Sequence, residues 1–359
     1  MKINEYSPAQ FDCLESDWKK LEKGKDMTPF QSFDWFRNVN RLFFSEPKWR
    51  VDQKWVYLVV EHLNEAVIIA PLIIQRFGFS LAGHLWARPG VYMIGRRGFS
   101  DYLNLIYDNF KPEVVEFLFT YLRNRYGIKF LSFENLLAEA DLATYLTQSH
   151  KYEAKNMTCV ALTLPPTLSE YQALLSKNTR QNLRTALNRC KRNEIEFTHE
   201  LHFEVNEKLM LEMKTLREQR LDVKLEKKKA TQNLSAKIKS LLIKGLIMFN
   251  RFMHGAQDPL SENTRPWCLI VRNKDKLVAF FWGIRSFSEE QLYVIFAAVH
   301  PEYEWYSPGK LSLQTFIEKI YKDVLKIKLI DFTRGGESYK YEVGGVARAA
   351  YSYLNIHLI

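Results

Sequence analysis

Cysteine is scarce in this 359-residue chain, with Cys13, Cys159, Cys190 and Cys268 standing far apart. No two have the spacing of a metal pair, and the pattern builds no disulfide framework. A reducing cytoplasm fits such usage. Long apolar runs are missing too. The longest, around 67–74 and 277–284, fall well short of the roughly 20 residues that span a bilayer. Met1-Lys2-Ile3-Asn4-Glu5-Tyr6 has no basic-then-apolar export pattern, so a cytoplasmic protein is expected. His199 and His202 flank Glu200-Leu201 without the spacing of a helical zinc pair, and no metal is expected. No Ser-His-Asp order stands out, and no residue-level repeat is visible.

What is present describes a folded protein. Hydrophobic residues make up 47% and charged residues 26%, which excludes a disordered or fibrous chain. The length suggests about two domains. Lys and Arg number 51 against 41 Asp and Glu, a net charge of +10. Such a surface attracts nucleic acid, anionic lipid or phosphorylated small molecules, and lysines kept for solubility account for it equally well.

The pattern predicts helices over 8–23 and 33–44, then strands over 55–61 and 66–76. An extended stretch at 101–107, a helix over 112–126, a strand over 128–133, a helix near 136–148 and a strand near 158–164 follow. The second half repeats this order, with helices over 203–224 and 231–244 and strands over 267–272, 276–285 and 291–299. A helix over 308–325, a strand over 327–332 and a last strand over 346–357 close it. The fold class is therefore mixed α/β, with two sister domains joined near Leu164-Pro165-Pro166. The strands at 277–285 and 291–299 are apolar on both faces, which suits the buried centre of a sheet.

Three stretches carry chemistry. The first runs His300-Pro301-Glu302-Tyr303-Glu304-Trp305-Tyr306-Ser307-Pro308-Gly309-Lys310-Leu311, between a buried strand and an amphipathic helix. Ser307 suits the N-cap and Pro308 the first helical turn. Gly309 allows a ligand close to the backbone, and the helix start with Lys310 suits a pyrophosphate. An ordinary capped turn is the plainer reading. The second is a predicted helix on which Lys177, Arg180, Arg184, Asn188 and Lys191 form one stripe. Such a stripe can bind phosphate groups or simply face solvent. The third is Asp331-Phe332-Thr333-Arg334-Gly335-Gly336-Glu337-Ser338-Tyr339-Lys340-Tyr341, where loops leave a strand end. Asp331 or Glu337 could accept a proton there, and Tyr339, Lys340 and Arg334 could donate one or fix an anion.

Together the three stretches resemble the acetyltransferase family first associated with bacterial cellulose biosynthesis. That family lies in the GNAT superfamily and is related to Fem-type peptidoglycan transferases. Pro29-Phe30-Gln31-Ser32, Ala70-Pro71-Leu72 and Ser100-Asp101-Tyr102 resemble its motifs in the first half. The resemblance implies tandem GNAT-like domains, a degenerate one over 1–160 and an acyltransferase domain over 161–359. It implies acetyl-CoA or another acyl-CoA as donor, held by Ala297, Val299, Ser307, Gly309, Lys310 and Leu311. The usual Gly-x-Gly/Ala turn of the superfamily is Pro308-Gly309-Lys310-Leu311 here. Asp331, Glu337 and Tyr339 become the catalytic candidates, with His300 a weaker base. Lys177, Arg180, Arg184, Asp101, Arg334 and Lys340 become candidates for binding the substrates.

The expected acceptor is an amine or hydroxyl, at family level an envelope polysaccharide precursor. Trp86, Tyr92 and Trp305 could stack on its sugar rings or merely pack. Nucleic acid is not an expected partner, and peripheral contact with the inner membrane stays open. Two alternatives stand beside this reading, a Fem-like aminoacyltransferase using aminoacyl-tRNA and a non-catalytic ligand-binding module of the same fold.

Overall fold

In Glu65–Gln75, Ile68, Ala70, Leu72 and Ile74 alternate onto one buried face, the period of a strand. The computed structural model describes residues 1–45, 53–75, 90–95, 100–149, 153–229, 264–323 and 325–357. Trp86, most of the loop at 258–266 and the helix expected over 231–244 lie outside them. The described residues form two compact units, one of 1–157 with 349–357, the other of 158–229 with 264–348.

In the first unit the strands run in the order β1 (Lys2–Tyr6), β2 (Gln53–His62), β3 (Glu65–Gln75), β4 (Gly90–Met93), β5 (Phe130–Leu137) and β12 (Val346–His357). All neighbours are antiparallel except β4 and β5. Helices α1 (Glu15–Leu21), α2 (Phe33–Ser45), α3 (Pro112–Tyr126) and α4 (Asp141–Ser149) complete it. The core gathers Leu72, Val115, Leu118, Phe133, Leu142 and Tyr353. Helix α3 stops at Gly127, whose left-handed φ of 64° closes the last turn.

The unit departs from the sequence pattern in three places. The helix expected over 8–23 divides into a 3-10 turn at Pro8–Leu14 and then α1. Apolar spacing of three to four residues suits both helix types. Strands β1 and β4 have only five and four residues, too few to display alternation. The stretch at 101–107 makes a single bridge, between Ile106 and Ile69, in place of a strand.

In the second unit the order is β6 (Glu153–Thr163), β11 (Leu329–Arg334), β10 (Gln291–Val299), β9 (Lys276–Arg285), β8 (Pro266–Asn273) and β7 (Phe197–His202). Only β10 and β11 are parallel among these neighbours. The helices are α5 (Leu168–Leu174), α6 (Lys177–Arg192), α7 (Glu207–Lys229), α8 (Pro308–Lys322) and α9 (Ser338–Glu342). Strand β7 is a further element the pattern did not show. It places His199 and His202 opposite Val271 and Cys268 of β8.

Strand β9 is buried on both faces, as its composition predicts. Helix α8 lays Leu313, Phe316, Ile317 and Ile320 on the sheet, and Phe316 stacks on Trp267 at 5.7 Å. Each such side chain contributes roughly 1.5–3 kcal/mol on burial. That anchorage fixes where the helix begins. No described helix is long and apolar enough to cross a membrane.

Candidate functional site

Strands β10 and β11 are hydrogen-bonded over a short stretch only, Gln291–Leu329, Leu292–Ile330 and Tyr293–Asp331. Beyond it the ladder fails. A bulge between Val294 and Phe296 shifts the register of β10 on β9. The Val294 carbonyl accepts the Thr333 hydroxyl at 2.8 Å instead of a β11 backbone donor. Thr333 itself has a φ of 52°, and its N–H donates to the Asp331 carboxylate at 2.7 Å. The two strands thus part, leaving Ala297, Ala298 and Val299 on a cavity wall.

That cavity, of about 270 Å³, is also bounded by Phe281, Glu304, Ser307, Pro308, Gly309, Lys310, Tyr339 and Arg220. A second, of about 280 Å³, lies under Val294–Ala297 and is closed by Phe332, Thr333, Arg334, Glu337, Lys340, Arg217, Arg220 and Tyr339. Ala297, Arg220 and Tyr339 line both. The donor-side residues expected from the sequence therefore meet those of the 331–341 loop at one place.

The start of α8 is built differently from an ordinary cap. Ser307 occupies the N-cap position, but its backbone is left-handed (φ 52°) and its hydroxyl makes no cap bond. The extended backbone that aims a cap hydroxyl at the helix N–H groups is absent, and the residue lines the first cavity instead. Pro308 has no N–H to satisfy. A Cβ on Gly309 would stand 3.2 Å from Val299 Cγ2, so the backbone meets the cavity wall with no room to spare. The preceding 3-10 turn Pro301–Tyr306 is pinned to α6 by Arg189. Its guanidinium lies 3.8 Å from the Trp305 ring centroid and donates to the Trp305 carbonyl at 3.2 Å. One face of the exposed Trp305 ring is thereby covered.

Several expected residues have other work. The Lys310 ammonium is tied to the Glu342 carboxylate, so the backbone at the helix start carries more of the anion preference than its side chain. Leu311 is buried behind the cavity with Ala186 and Cys190. Lys340 is buried and donates to the carbonyls of Phe332 (3.0 Å), Arg334 (2.7 Å) and Gly335 (2.9 Å) and to the Glu337 carboxylate (2.9 Å). Gly335 makes this possible, with a φ of 104° and a Cβ position that would collide with the Glu337 carboxylate. Lys340 therefore shapes the loop from below.

Asp331 is 0% exposed, and its carboxylate accepts Arg348 at 2.7 Å. It lines neither cavity, because it belongs to the last paired position of the strands. His300 caps the 3-10 turn by accepting the Glu302 N–H on Nδ1, and burial, then Lys276, lowers its pKa. It lines neither cavity either. The stripe on α6 is exposed at Lys177, Arg180 and Arg184, with Thr179, Ala186 and Cys190 buried opposite. Arg180 donates to the Leu175 carbonyl at 2.9 Å, bracing the α5–α6 elbow. None of the three lines either cavity. Asp101 and Tyr92 belong to the first unit, where Asp101 is buried.

Tyr339 is the phenol between the two cavities. Its ring meets Phe332 edge-on at 6.1 Å. Burial, then the nearby Glu337 carboxylate, pushes its pKa well above the usual phenol range. It is a proton donor throughout neutral pH.

The arginines of α7 are what the sequence pattern concealed. Helix α7 packs on β9 and β10 through Leu209, Met210, Met213 and Leu216. Arg217 and Arg220 continue that face seven residues after Met210 and Met213. Two arginines taking over an apolar stripe at its own spacing was the available signal.

Among the described residues no three metal-ligating side chains gather into a site. Residues 177–341 match the family model described as "Acetyltransferase (GNAT) domain". The described residues of that match lie within the second unit. Solved structures share the fold over nearly the whole chain. "FemX" covers 99% of this chain and 97% of its own at a TM-score of 0.57 and 10% identity. "L-PGS from Bacillus licheniformis" covers 98% and 93% at 0.54 and 11%. A "tandem GNAT protein from the clavulanic acid biosynthesis pathway" covers 100% and 98% at 0.50 and 10%. Such identities establish a shared fold and no more. No curated protein sequence matches the chain. Within the matched residues, the splayed β10–β11 pair and the β10–α8 turn line the cavities.

Proposed function

We propose that the protein transfers an acyl group, acetyl in the simplest case, from an acyl-CoA to an amine or hydroxyl held in the second cavity. The observation that carries this reading is the position of Tyr339, a protonated phenol on the walls of both cavities. The Ser307–Gly309 backbone receives the pyrophosphate at the α8 N-terminus, where the helix dipole favours negative charge. Ala297–Val299, released from β11, offer backbone N–H groups to the thioester carbonyl.

Glu337 takes the proton from the acceptor, whose nitrogen or oxygen bonds to the acyl carbon as the carbon–sulfur bond breaks. Tyr339 gives its proton to the departing sulfur, and the proton on Glu337 restores the phenol. Direct transfer needs no covalent enzyme intermediate. The GNAT match over 177–341 supports this chemistry. An envelope polysaccharide precursor is the acceptor class to which the family resemblance points.

Gly309→Asp tests the donor site. A carboxylate in the first helical turn suits the helix dipole but opposes a pyrophosphate. Because its Cβ would press on Val299 at 3.2 Å, the melting temperature is recorded alongside, to separate lost affinity from lost fold. Calorimetry is expected to show acyl-CoA affinity falling on the order of 10–100-fold. Unchanged affinity would move the donor away from α8. Glu337→Gln is expected to cut kcat by about 10²-fold with little change in acyl-CoA affinity. Undiminished thiol release from acetyl-CoA would remove Glu337 from the proton path.

Aminoacyl transfer from tRNA is the second reading, favoured by the whole-length likeness to FemX. Affinity for tRNA that falls steeply with salt, together with no binding of acyl-CoA, would establish it instead.

A further inference from the structure

The second cavity has an unusual charge inventory. Arg217, Arg220 and Arg334 stand on its walls, and the acidic residue among its lining residues is Glu337. That carboxylate already receives the Lys340 ammonium at 2.9 Å. Three guanidinium groups thus line a small space whose lining carries one carboxylate.

Arg217 lies 3.8 Å from the centroid of Phe296, the residue just past the β10 bulge. Burial lowers its pKa to about 9. The Arg220 Nε is buried without a hydrogen-bond partner among the described residues. A guanidinium Nε kept out of water without a partner, as in Arg220, costs stability unless an acceptor completes it. A planar guanidinium pairs best with carboxylate or phosphate, through two parallel hydrogen bonds.

From this arrangement we infer that the acceptor carries an oxyanion close to its nucleophile, a carboxylate or a phosphate monoester, and that Arg220, backed by Arg217, binds it. The inference rests on the acyl-transfer reading for its word "acceptor", and on the cavity alone for the anion. A space of about 280 Å³ lies just below the roughly 300–1,000 Å³ of drug-sized pockets, so it takes a small acceptor or the reacting end of a larger one. The expected acceptor is therefore zwitterionic or anionic, such as an amino acid or an amino sugar phosphate. The donor phosphates are placed elsewhere, at the α8 start.

The experiment has two arms. In the first, melting temperatures of the full chain and of Arg220→Met are recorded with inorganic phosphate, acetate and no addition. Methionine keeps the length and packing of the stem, and Arg220→Lys serves as the conservative control. At ten times Kd the full chain is expected to gain roughly 3 °C. Arg220→Met should lose that gain, and Arg220→Lys should keep part of it. Equal shifts in all three proteins overturn the anion site, whether or not the protein transfers acyl groups.

In the second arm, thiol release from acetyl-CoA is measured with matched acceptors, glucosamine against glucosamine 6-phosphate and an amino acid against its amide. Acetyl-CoA affinity is followed by calorimetry in parallel. The charged member of one pair is expected to be favoured in kcat/KM by roughly 10–100-fold. Which pair responds tells phosphate from carboxylate. Arg220→Met should erase that preference through the acceptor KM while leaving acetyl-CoA affinity unchanged. A loss of acetyl-CoA affinity in Arg220→Met assigns the arginine to the donor and overturns the inference. Failure of the unaltered protein to bind acetyl-CoA sinks the acyl-transfer reading, and the first arm still decides the anion site.

Discussion

Tyr339→Phe is expected to lower kcat for acyl transfer by about 10²-fold or more, with acyl-CoA affinity and thermal stability nearly unchanged. The phenylalanine ring keeps the edge-on contact with Phe332, so the packing survives and only the hydroxyl is lost. Tyr339 lines both cavities, and its hydroxyl is the proton donor we propose. Single-turnover thiol release from acetyl-CoA measures the effect free of product dissociation. The pH dependence has a definite sign. Because burial and Glu337 raise the Tyr339 pKa, the phenol stays protonated through neutral pH and beyond the ordinary value of about 10. Loss of its proton therefore produces no fall in kcat below roughly pH 10. A variant that turns over at the full rate would show that sulfur takes its proton from water.

Lys340→Met is expected to act on stability first. Its buried ammonium gathers three carbonyl oxygens and one carboxylate from residues 332–337. Methionine leaves those carbonyls without their donor. Hydrogen bonds to a charged group contribute about 1.5–3 kcal/mol each, and they do not add in full. A loss of about 3–5 kcal/mol is expected. The Glu337 contact is discounted within that figure, since its carboxylate is more than half exposed and screened. A urea midpoint shifted downward at constant m-value would report it. An unshifted midpoint combined with a raised acceptor KM would instead make Lys340 a substrate ligand.

The contrast between Lys340 and Tyr339 shows where linear reading stops. They are adjacent in sequence, yet one lies under the loop and the other opens on both cavities. A one-residue step on a short helix turns the side chain by about 100°. The loop 331–341 could therefore be recognised as a site while its members' roles could not be separated. Asp331 repeats the point. Strand chemistry near a Gly-Gly turn made it a plausible base, but the register that pairs it with Tyr293 carries it inside the sheet, against Arg348. That register depends on residues far away in sequence.

The arginines of α7 were hidden for another reason. Arg217 and Arg220 sit among lysines and glutamates that read as a solvated helix. Only the packing of Met210, Met213 and Leu216 on the sheet shows that the same face continues into a cavity. Strands β1, β4 and β7 were missed because pairing with neighbours stabilises such short segments more than their own composition does.

Locally encoded features were legible in the amino-acid order. The two-sided apolar runs of β9 and β10, the 3.6-residue stripe of α8 and the Tyr306-Ser307-Pro308-Gly309 turn each need only a few consecutive residues to be recognised. They sufficed for a mixed α/β chain and for the helix start to which we assign the pyrophosphate. The assignment of partners required the folded chain. Lys310 found Glu342, Lys340 found three carbonyls, and Ser307 took a left-handed backbone that frees its hydroxyl. The +10 charge was likewise ambiguous until burial separated the exposed stripe of α6 from the cavity arginines of α7. A charge in water is screened by the solvent around it, whereas a charge in a cavity acts on whatever is placed beside it.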